Sequence, residues 1–344
     1  MKKFFVFLGV VFMTIGSVVS AQEVDSIAPL QKSSWGDAKK ADVAESIPDV
    51  SLSMRASYIQ DFAENAGRFC GDGIYLDVNG SINSSLSYSW NQSLASRYFD
   101  VSGFDGTNWL NLTYEVSDFS FTFGKDALLI GSFEYDTADV DSYYEMNSIF
   151  YNNIDCWQWG ASAAWYPAEN HEVFVQMANS PHSYEEPNLF AYAAAWRGYW
   201  DNYESYWTAN LWQYDKGRFE KALNFGNRFY LGGFTVDLDL MARFQQKHMS
   251  YTGLVKPTYE WEWGKGFAKF GIENIADELN PETMSHYLFY GAGLEFFPLK
   301  ENKDIRIHTI WASNNDGYNF LSLGLTWKFD ATRALKNLFG KSEN

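Results

Sequence analysis

Long apolar runs are missing from most of this sequence. After residue 21, no stretch approaches the roughly 18 apolar residues that a membrane-spanning helix needs. An inner-membrane bundle of helices is therefore excluded. Cysteine is equally scarce, with Cys70 and Cys156 alone, and neither directly follows the apolar leader, so a lipoprotein anchor is not indicated.

Basic residues and catalytic motifs are also sparse. The chain has 26 Lys and Arg against 43 Asp and Glu, a net charge of −17, which argues against a nucleic-acid partner. Its five histidines lack metal-binding spacing, and the chain contains no Gly-x-Ser-x-Gly motif or phosphate-binding loop. We therefore expect no metal, no cofactor and no enzymatic activity.

The N-terminus has the pattern of an export signal. Lys2 and Lys3 precede an apolar run over residues 4–19, and the small residues Ser20 and Ala21 follow it. This order predicts a secretory signal peptide over residues 1–21. Residues 22–49 are small, polar and of mixed charge, and we interpret them as a periplasmic tail or linker. Export permits a disulfide between Cys70 and Cys156, and two unpaired thiols are an equal alternative.

Aromatic residues are plentiful, and from Ser51 the apolar residues recur with a period of two. Aromatic side chains make up 19% of the chain although the mean hydropathy is −0.31. Apolar residues occupy even positions before Ser117-Asp118 and odd positions after it, and the same change of parity occurs at Gly232-Gly233. A two-residue hairpin turn has this effect, because the residues that flank it pair on one face.

These patterns predict an all-β fold, namely one antiparallel transmembrane β-barrel over residues 50–330. The alternation gives sixteen strands, or fourteen or fifteen if the weak turn at Asn79-Gly80 is absent. Short turns are expected at 117–118, 167–171, 232–233 and 264–265, and long loops at 63–72, 92–106, 126–156 and 276–285. Residues 331–344 are expected to be a C-terminal periplasmic extension, either a short amphipathic helix or a polar tail.

Charged residues in the strands lie on the face opposite the apolar residues. A lipid-facing Arg or Lys near the midplane costs about 2–4 kcal/mol, so we assign the charged face to a polar lumen. Alternation alone would also fit a soluble exported β-sandwich, but the export signal and the aromatic excess favour the barrel. The predicted lumen wall consists of Arg55, Glu115, Arg197, Arg228, Asp237, Asp239, Arg243, Glu260, Glu262 and Arg306.

The segment from Phe121-Thr122-Phe123-Gly124-Lys125-Asp126 through Phe133-Glu134 resembles the strand-to-loop stretch of the phosphate-selective porin O and P family. The resemblance implies a water-filled barrel in the outer membrane of a Gram-negative bacterium. Its expected partners are outer-membrane lipid and small polar solutes or ions, and such barrels are often homotrimers. The resemblance also implies that the third external loop folds inward and narrows the channel.

The predicted constriction loop differs from that family's basic constriction, because it is acidic and, apart from Lys125 at its root, contains no Lys or Arg. Its expected constriction residues are Asp126, Glu134, Asp136, Asp139 and Asp141. Wall arginines are expected to face them across the channel and create a transverse field. We therefore expect a diffusion porin with a mild preference for cations.

Two other functions are compatible with a barrel. The first is a structural or adhesive barrel whose lumen is blocked and whose long loops bind a partner. The second is an outer-membrane enzyme, for which His308 is the histidine placed well inside a strand and facing the lumen, without an evident Ser and acid partner. Measurement of single-channel conductance separates the first from a porin.

Overall fold

A computed structural model describes residues 48–137, 139–183, 187–245, 248–276, 284–300 and 303–332. The predicted signal peptide, the predicted linker up to residue 47 and residues 333–344 of the predicted extension lie outside the described residues. No helix in the described part of the chain is long and apolar enough to cross a membrane.

Sixteen antiparallel strands form a closed barrel in which each strand pairs with its neighbours in sequence and β1 pairs with β16. The first eight strands are β1 Asp49–Asp61, β2 Ala66–Asn83, β3 Leu86–Ser96, β4 Thr107–Val116, β5 Phe119–Ala127, β6 Trp157–Ala168, β7 His171–Asn179 and β8 Phe190–Trp200. The remaining strands are β9 Tyr203–Asp215, β10 Arg218–Leu231, β11 Phe234–Gln245, β12 His248–Trp261, β13 Gly264–Ala276, β14 Met284–Phe296, β15 Ile305–Asn314 and β16 Asn319–Asp330. The predicted fold class is confirmed.

The two ends of the barrel differ in their connections. Because the strand number is even, β1 begins and β16 ends at the same end, which we call the turn end. Six of its connections are two residues long, at 84–85, 117–118, 169–170, 201–202, 232–233 and 262–263. The opposite end, which we call the loop end, carries the longer connections 97–106, 128–156 and 180–189.

The two turns predicted from changes of parity are present. Val116 pairs with Phe119 across Ser117-Asp118, and Leu231 pairs with Phe234 across Gly232-Gly233. Ser117 and Gly232 have φ values of 51° and 64°. Positive φ at the first turn residue matches the twist of hairpin strands.

The predicted turn at Asn79-Gly80 is wrong. Strand β2 continues through both residues, and the turn lies at 84–85, where Asn83 pairs with Leu86. A register shift between Ser81 and Asn83 marks a bulge. The extra residue of a bulge cancels the parity change that a two-residue turn produces. The sequence pattern therefore could not locate this turn, although the strand number was predicted correctly.

The predicted long loop at 63–72 is also wrong, because β2 begins at Ala66 and only residues 62–65 connect it to β1. The register between these strands shifts at Arg55 and Ala56, opposite the segment that contains Gly71 and Gly73. This irregularity, together with the glycines, hides the alternation in residues 66–73. Smaller shifts move the predicted turns at 264–265 and 167–171 to 262–263 and 169–170.

The barrel has an apolar outer face and a polar inner face. Leu112, Leu223 and Leu325 are exposed on the outside, whereas the inward-facing Arg55, Asn224 and Asp239 are buried. This distribution is the reverse of that in a soluble protein, where large apolar side chains are buried and charges are exposed. Together with the closed sheet, it rules out the β-sandwich interpretation.

We expect Leu325→Arg to destabilise the barrel by about 2–4 kcal/mol in lipid vesicles, because Leu325 lies near the middle of β16 on the outer face. Phe329→Arg is the matched control, because the same strand presents Phe329 one residue before its turn-end terminus. The control should cost about 0–1 kcal/mol, as expected near a membrane interface. Denaturant unfolding measures both values, and equal costs would contradict the lipid-facing assignment.

Candidate functional site

The connection 128–156, which we call the lumen loop, lies inside the barrel. It contains three short 3-10 helices, Phe133–Asp136, Asp139–Asp141 and Tyr144–Met146, followed by the helix α1, Ile149–Asn153. Apolar residues at its start, among them Leu129 and Ile130, are buried. A 29-residue excursion of an exposed loop would not bury such side chains, so the interior of the barrel determines the conformation of this segment.

The lumen loop meets the wall first at β9. The hydroxyl of Thr208 donates a 2.8 Å hydrogen bond to the carbonyl of Ile130. The next residue, Gly131, has a φ of 73°, and a Cβ at this position would lie 2.7 Å from side-chain atoms of Thr208. Glycine therefore permits both the left-handed backbone and the close approach of the loop to the strand.

Asp239 on β11 holds the first 3-10 helix. Its carboxylate accepts hydrogen bonds from the Ser132 hydroxyl (2.7 Å) and from the backbone amides of Phe133 (3.1 Å) and Glu134 (2.9 Å). The Ser132 side chain also caps the helix by accepting from the Glu134 amide. Asp239 thus satisfies backbone donors at a helix start that would otherwise be buried without partners.

Glu134 is buried and joins two parts of the lumen loop to β13. Its carboxylate lies 2.5 Å from the ammonium of Lys269 and accepts from both the amide and the hydroxyl of Ser148. Lys269 also donates to the side chain of Asn147 at 2.8 Å. Glu134 and Lys269 carry opposite charges and are both buried. Their attraction offsets part of the free energy that is needed to remove the two charges from water.

Asp136 lies between two arginines of the wall near the turn end. Its carboxylate is 3.4 Å from Arg197 on β8 and 3.2 Å from Arg228 on β10. Each arginine has a second acidic partner on a neighbouring strand, Glu204 for Arg197 and Asp237 for Arg228. The group is therefore a network of two cations and three carboxylates rather than two opposing charged surfaces.

Asp141 contacts two basic residues of the wall on the other side of the barrel. It pairs with Arg306 on β15 and lies 2.8 Å from Lys328 on β16. Burial disfavours the charged carboxylate, but Lys328 and Arg306 more than offset this effect and hold the pKa of Asp141 below its usual range. Asp139 begins the same short helix, and its side chain lies outside the described residues.

The lumen loop then returns to the loop end. Glu145 pairs with Arg97 and accepts from the Tyr98 hydroxyl at 2.8 Å. At the start of α1, the amides of Ile149 and Phe150 donate to Glu273 of β13. The predicted site residues did not include Arg97, Glu145, Lys269, Glu273 and Lys328. Nothing in the alternation distinguishes Lys269, Glu273 and Lys328 from other inward-facing charges, and Arg97 and Glu145 lie in connections, where there is no alternation.

Two apolar clusters fill the space between the lumen loop and the wall. In the first, Leu128, Ile130 and Phe150 pack with inward-facing residues that include Trp212 and Met241. In the second, Met146 packs against Phe267, Ile310 and Ala312. The lumen loop is therefore held by a core of its own as well as by ion pairs.

The remaining predicted wall residues fall into three groups. Arg55 pairs with Asp72 and donates a hydrogen bond to the carbonyl of Val140. Arg243 pairs with Glu220, and its guanidinium lies 4.1 Å from the centre of the Phe150 ring. Glu115 is half-buried on the inner face of β4. Asp126, which was predicted in the constriction loop, instead lies half-buried on the inner face of β5 and accepts from Asn111. Glu260 and Glu262 are exposed at the turn end, where they pair with Lys303 and Lys300.

Cys70 and Cys156 are both free thiols. Of the two alternatives that the sequence left open, the structure has the unpaired one. Cys156 ends the lumen loop, and burial raises the pKa of its thiol to about 12. The thiol is therefore protonated at neutral pH and a poor nucleophile.

The middle of the inner faces of β4–β6 is less covered than the wall at β9–β13. Three residues here are half-buried, namely Thr113 on β4, Thr122 on β5 and Ser162 on β6. Among the described residues of these strands, no Lys or Arg side chain lies on the inner face. Lys125 of β5 has the exposed Leu110 and Trp159 as neighbours and faces outward. In contrast, Thr208, Asn224, Asp239 and Glu273 on β9–β13 are buried against the lumen loop. Gln176 and Ala178 of β7 likewise contact the start of the lumen loop. The lumen loop therefore leaves the wall at Thr113, Thr122 and Ser162 partly exposed.

His308 is buried at the wall. Its Nε2 atom lies 3.2 Å from the Ser322 hydroxyl, and its Nδ1 atom has no hydrogen-bond partner among the described residues. A Ser-His pair of a hydrolase needs an acid that orients the imidazole and a substrate that reaches the hydroxyl. Ser322 is only 4% exposed, so this contact does not resemble such a site. The absence of enzymatic activity stays a prediction.

The closed sixteen-stranded barrel with a loop inside its lumen is the architecture of the porin class. The family model described as phosphate-selective porin O and P matches residues 68–203, which confirms the resemblance expected from the sequence. A comparison with curated protein sequences found no match.

Solved porin structures share this fold at low sequence identity. The trimer form of OmpT from Vibrio cholerae is 12% identical, with a TM-score of 0.58, over 82% of this chain and 99% of that one. OmpF of Salmonella typhi in complex with daunomycin is 10% identical, with a TM-score of 0.61, over 82% and 97%. A variant of the Rh. blastica porin is 8% identical, with a TM-score of 0.56, over 82% and 100%.

Replacement of Asp239 by Ala should release the start of the lumen loop, because three hydrogen bonds to one carboxylate are lost. Hydrogen bonds to charged groups contribute about 1.5–3 kcal/mol each, so the amides of residues 133 and 134 should exchange at least tenfold faster. Hydrogen exchange in detergent micelles measures this change. Asp316→Ala, in the exposed loop-end connection 315–318, is the control, and equal exchange in both variants would contradict the role of Asp239.

Proposed function

We propose that the protein is an outer-membrane channel for the passive diffusion of small polar solutes or ions. The observation that supports this most directly is the half-buried, uncharged inner wall formed by Thr113, Thr122 and Ser162, which lies beside a lumen loop that covers the other side of the barrel. Solutes would pass between this wall and the lumen loop. The similarity to porins supports the same function and an outer-membrane location in a Gram-negative bacterium.

The narrowing of the channel is proposed to come from the bulk of the lumen loop rather than from its acidity. Glu134, Asp136 and Asp141 are each in contact with cations of the wall, so their charges are largely compensated at short range. A transverse field needs acidic and basic groups separated by the solvent-filled passage. The contacts favour a structural role for these acids instead.

A mild preference for cations is proposed to come from β4 and β5. Glu115 and Asp126 face the lumen there, and Asp126 accepts a hydrogen bond from the neutral side chain of Asn111. A passage lined by uncompensated carboxylates raises the local concentration of cations. The acidic net charge of −17 favours the same sign.

A barrel with a blocked lumen is the second candidate, and the two apolar clusters between the lumen loop and the wall favour it. Purified protein in planar bilayers separates the two functions. A channel gives stepwise conductance and a reversal potential of cationic sign in a KCl gradient. A folded barrel that never conducts would contradict the channel, and an anionic reversal potential would contradict the selectivity.

We expect Glu115→Gln to reduce the cation preference while leaving single-channel conductance of the same order. Glu115 lies on the inner face of β4, and no Lys or Arg contacts it among the described residues. Its neutralisation therefore removes charge from the passage without breaking an ion pair. Glu64→Gln, in the exposed connection 62–65, is the matched control and should leave the reversal potential unchanged. An identical shift in both variants would contradict this assignment.

We also propose a homotrimer, which the trimer form of OmpT supports by analogy of fold. Cross-linking in native membranes, followed by electrophoresis without heating, tests this assembly. Trimer bands support it, and a strictly monomeric pattern contradicts it.

A further inference from the structure

A groove with cationic and aromatic walls lies at the loop end of the barrel, at the hairpin formed by β9 and β10. It has a volume of about 440 Å³ and is lined by Tyr214, Arg218, Phe219, Lys221 and Phe244. None of these residues belongs to the channel proposed above.

Lys221 carries a positive charge on the lipid-facing side of β10. Lys221 lies on the same face of β10 as Leu223 and Phe225, which are exposed on the outside of the barrel. Its neighbours on the adjacent strands are Leu211 and Phe244. A lipid-facing Lys destabilises a barrel strongly near the membrane midplane. Close to a strand end the destabilisation is small, because the side chain can reach the membrane interface. Lys221 lies three residues from the start of β10.

Arg218 adds a second cation to the groove. Its side chain is 62% exposed, and it forms an ion pair of 3.5 Å with Asp215, which is also exposed. Such a surface pair contributes little and is readily exchanged for a better anion. Phe219 and Phe244 provide apolar surface beside the two cations, and Phe219 lies against Tyr192 of β8 on the outer face.

We propose that this groove binds the phosphate of an anionic lipid headgroup in the leaflet at the loop end. Lys221 and Arg218 would contact the phosphate oxygens, Phe219 and Phe244 would contact the upper acyl chain, and Leu223 and Phe225 would continue that apolar surface into the membrane. The charge complementarity is local, because the chain as a whole is strongly acidic and repels anions. Basic residues beside an apolar surface at the membrane boundary are the chemistry that recognises such headgroups.

Binding of tail-labelled phosphatidic acid to the refolded barrel in neutral detergent micelles tests the proposal, with tail-labelled diacylglycerol as the lipid without phosphate. We expect saturable binding of phosphatidic acid and at least tenfold weaker binding of diacylglycerol. The double variant Arg218→Gln/Lys221→Gln should bind phosphatidic acid about thirtyfold more weakly, since each basic residue near an anionic lipid contributes a factor of about five.

Arg68→Gln/Lys300→Gln is the matched control, because it removes two exposed charges at other places and leaves the groove intact. Its affinity should stay within twofold of the unaltered protein, and heat-dependent gel migration shows that both variants are folded. Equal weakening in both double variants would overturn the proposal. Displacement of the lipid by an equimolar amount of inorganic phosphate would also overturn it, because the site would then recognise the free ion.

Discussion

The structure depends on charge compensation inside the barrel. Asp136, Asp141 and Glu134 of the lumen loop contact cations on β8, β10, β13, β15 and β16, so the loop is tied to the wall around more than half of the circumference. Each pair is partly or fully withdrawn from water, and removing one partner would leave a buried charge without compensation, at a cost of several kcal/mol. Backbone contacts to Asp239 and Glu273 complete the attachment. The acidity of the loop and the basicity of the wall are thus two parts of one structural interaction.

This attachment makes the interior asymmetric. Most basic residues that contact the lumen loop lie on β1 and on β8–β16, and Arg97, which follows β3, adds a contact at the loop end. The inner faces of β4–β6 carry hydroxyls, amides and a few carboxylates. The channel proposed above would therefore lie off the barrel axis. Because the loop acids are engaged by cations, ions in that channel would meet Glu115 and Asp126 rather than Asp136 or Asp141.

The sequence predicted the barrel well and the site only in part. Parity changes located the turns at Gly232-Gly233 and Ser117-Asp118, because a two-residue turn must shift the apolar face. The bulge near Ser81 removed that shift and concealed a turn. The acidic residues of the loop were recognised by composition, but their partners Lys269 and Lys328 lie 135 and 187 residues away. Local patterns do not determine such contacts, because they depend on where the loop descends in the lumen.

The central claim is that solutes pass beside β4–β6 and not through the side filled by the lumen loop. Single-channel conductance with thiol-reactive, charged reagents tests it in a background with Cys70→Ser and Cys156→Ala. A cysteine that replaces Thr113 should react and lower the conductance, whereas a cysteine that replaces Asn224, which is 0% exposed behind the loop, should not. Blockage at position 224 without blockage at position 113 would contradict the account.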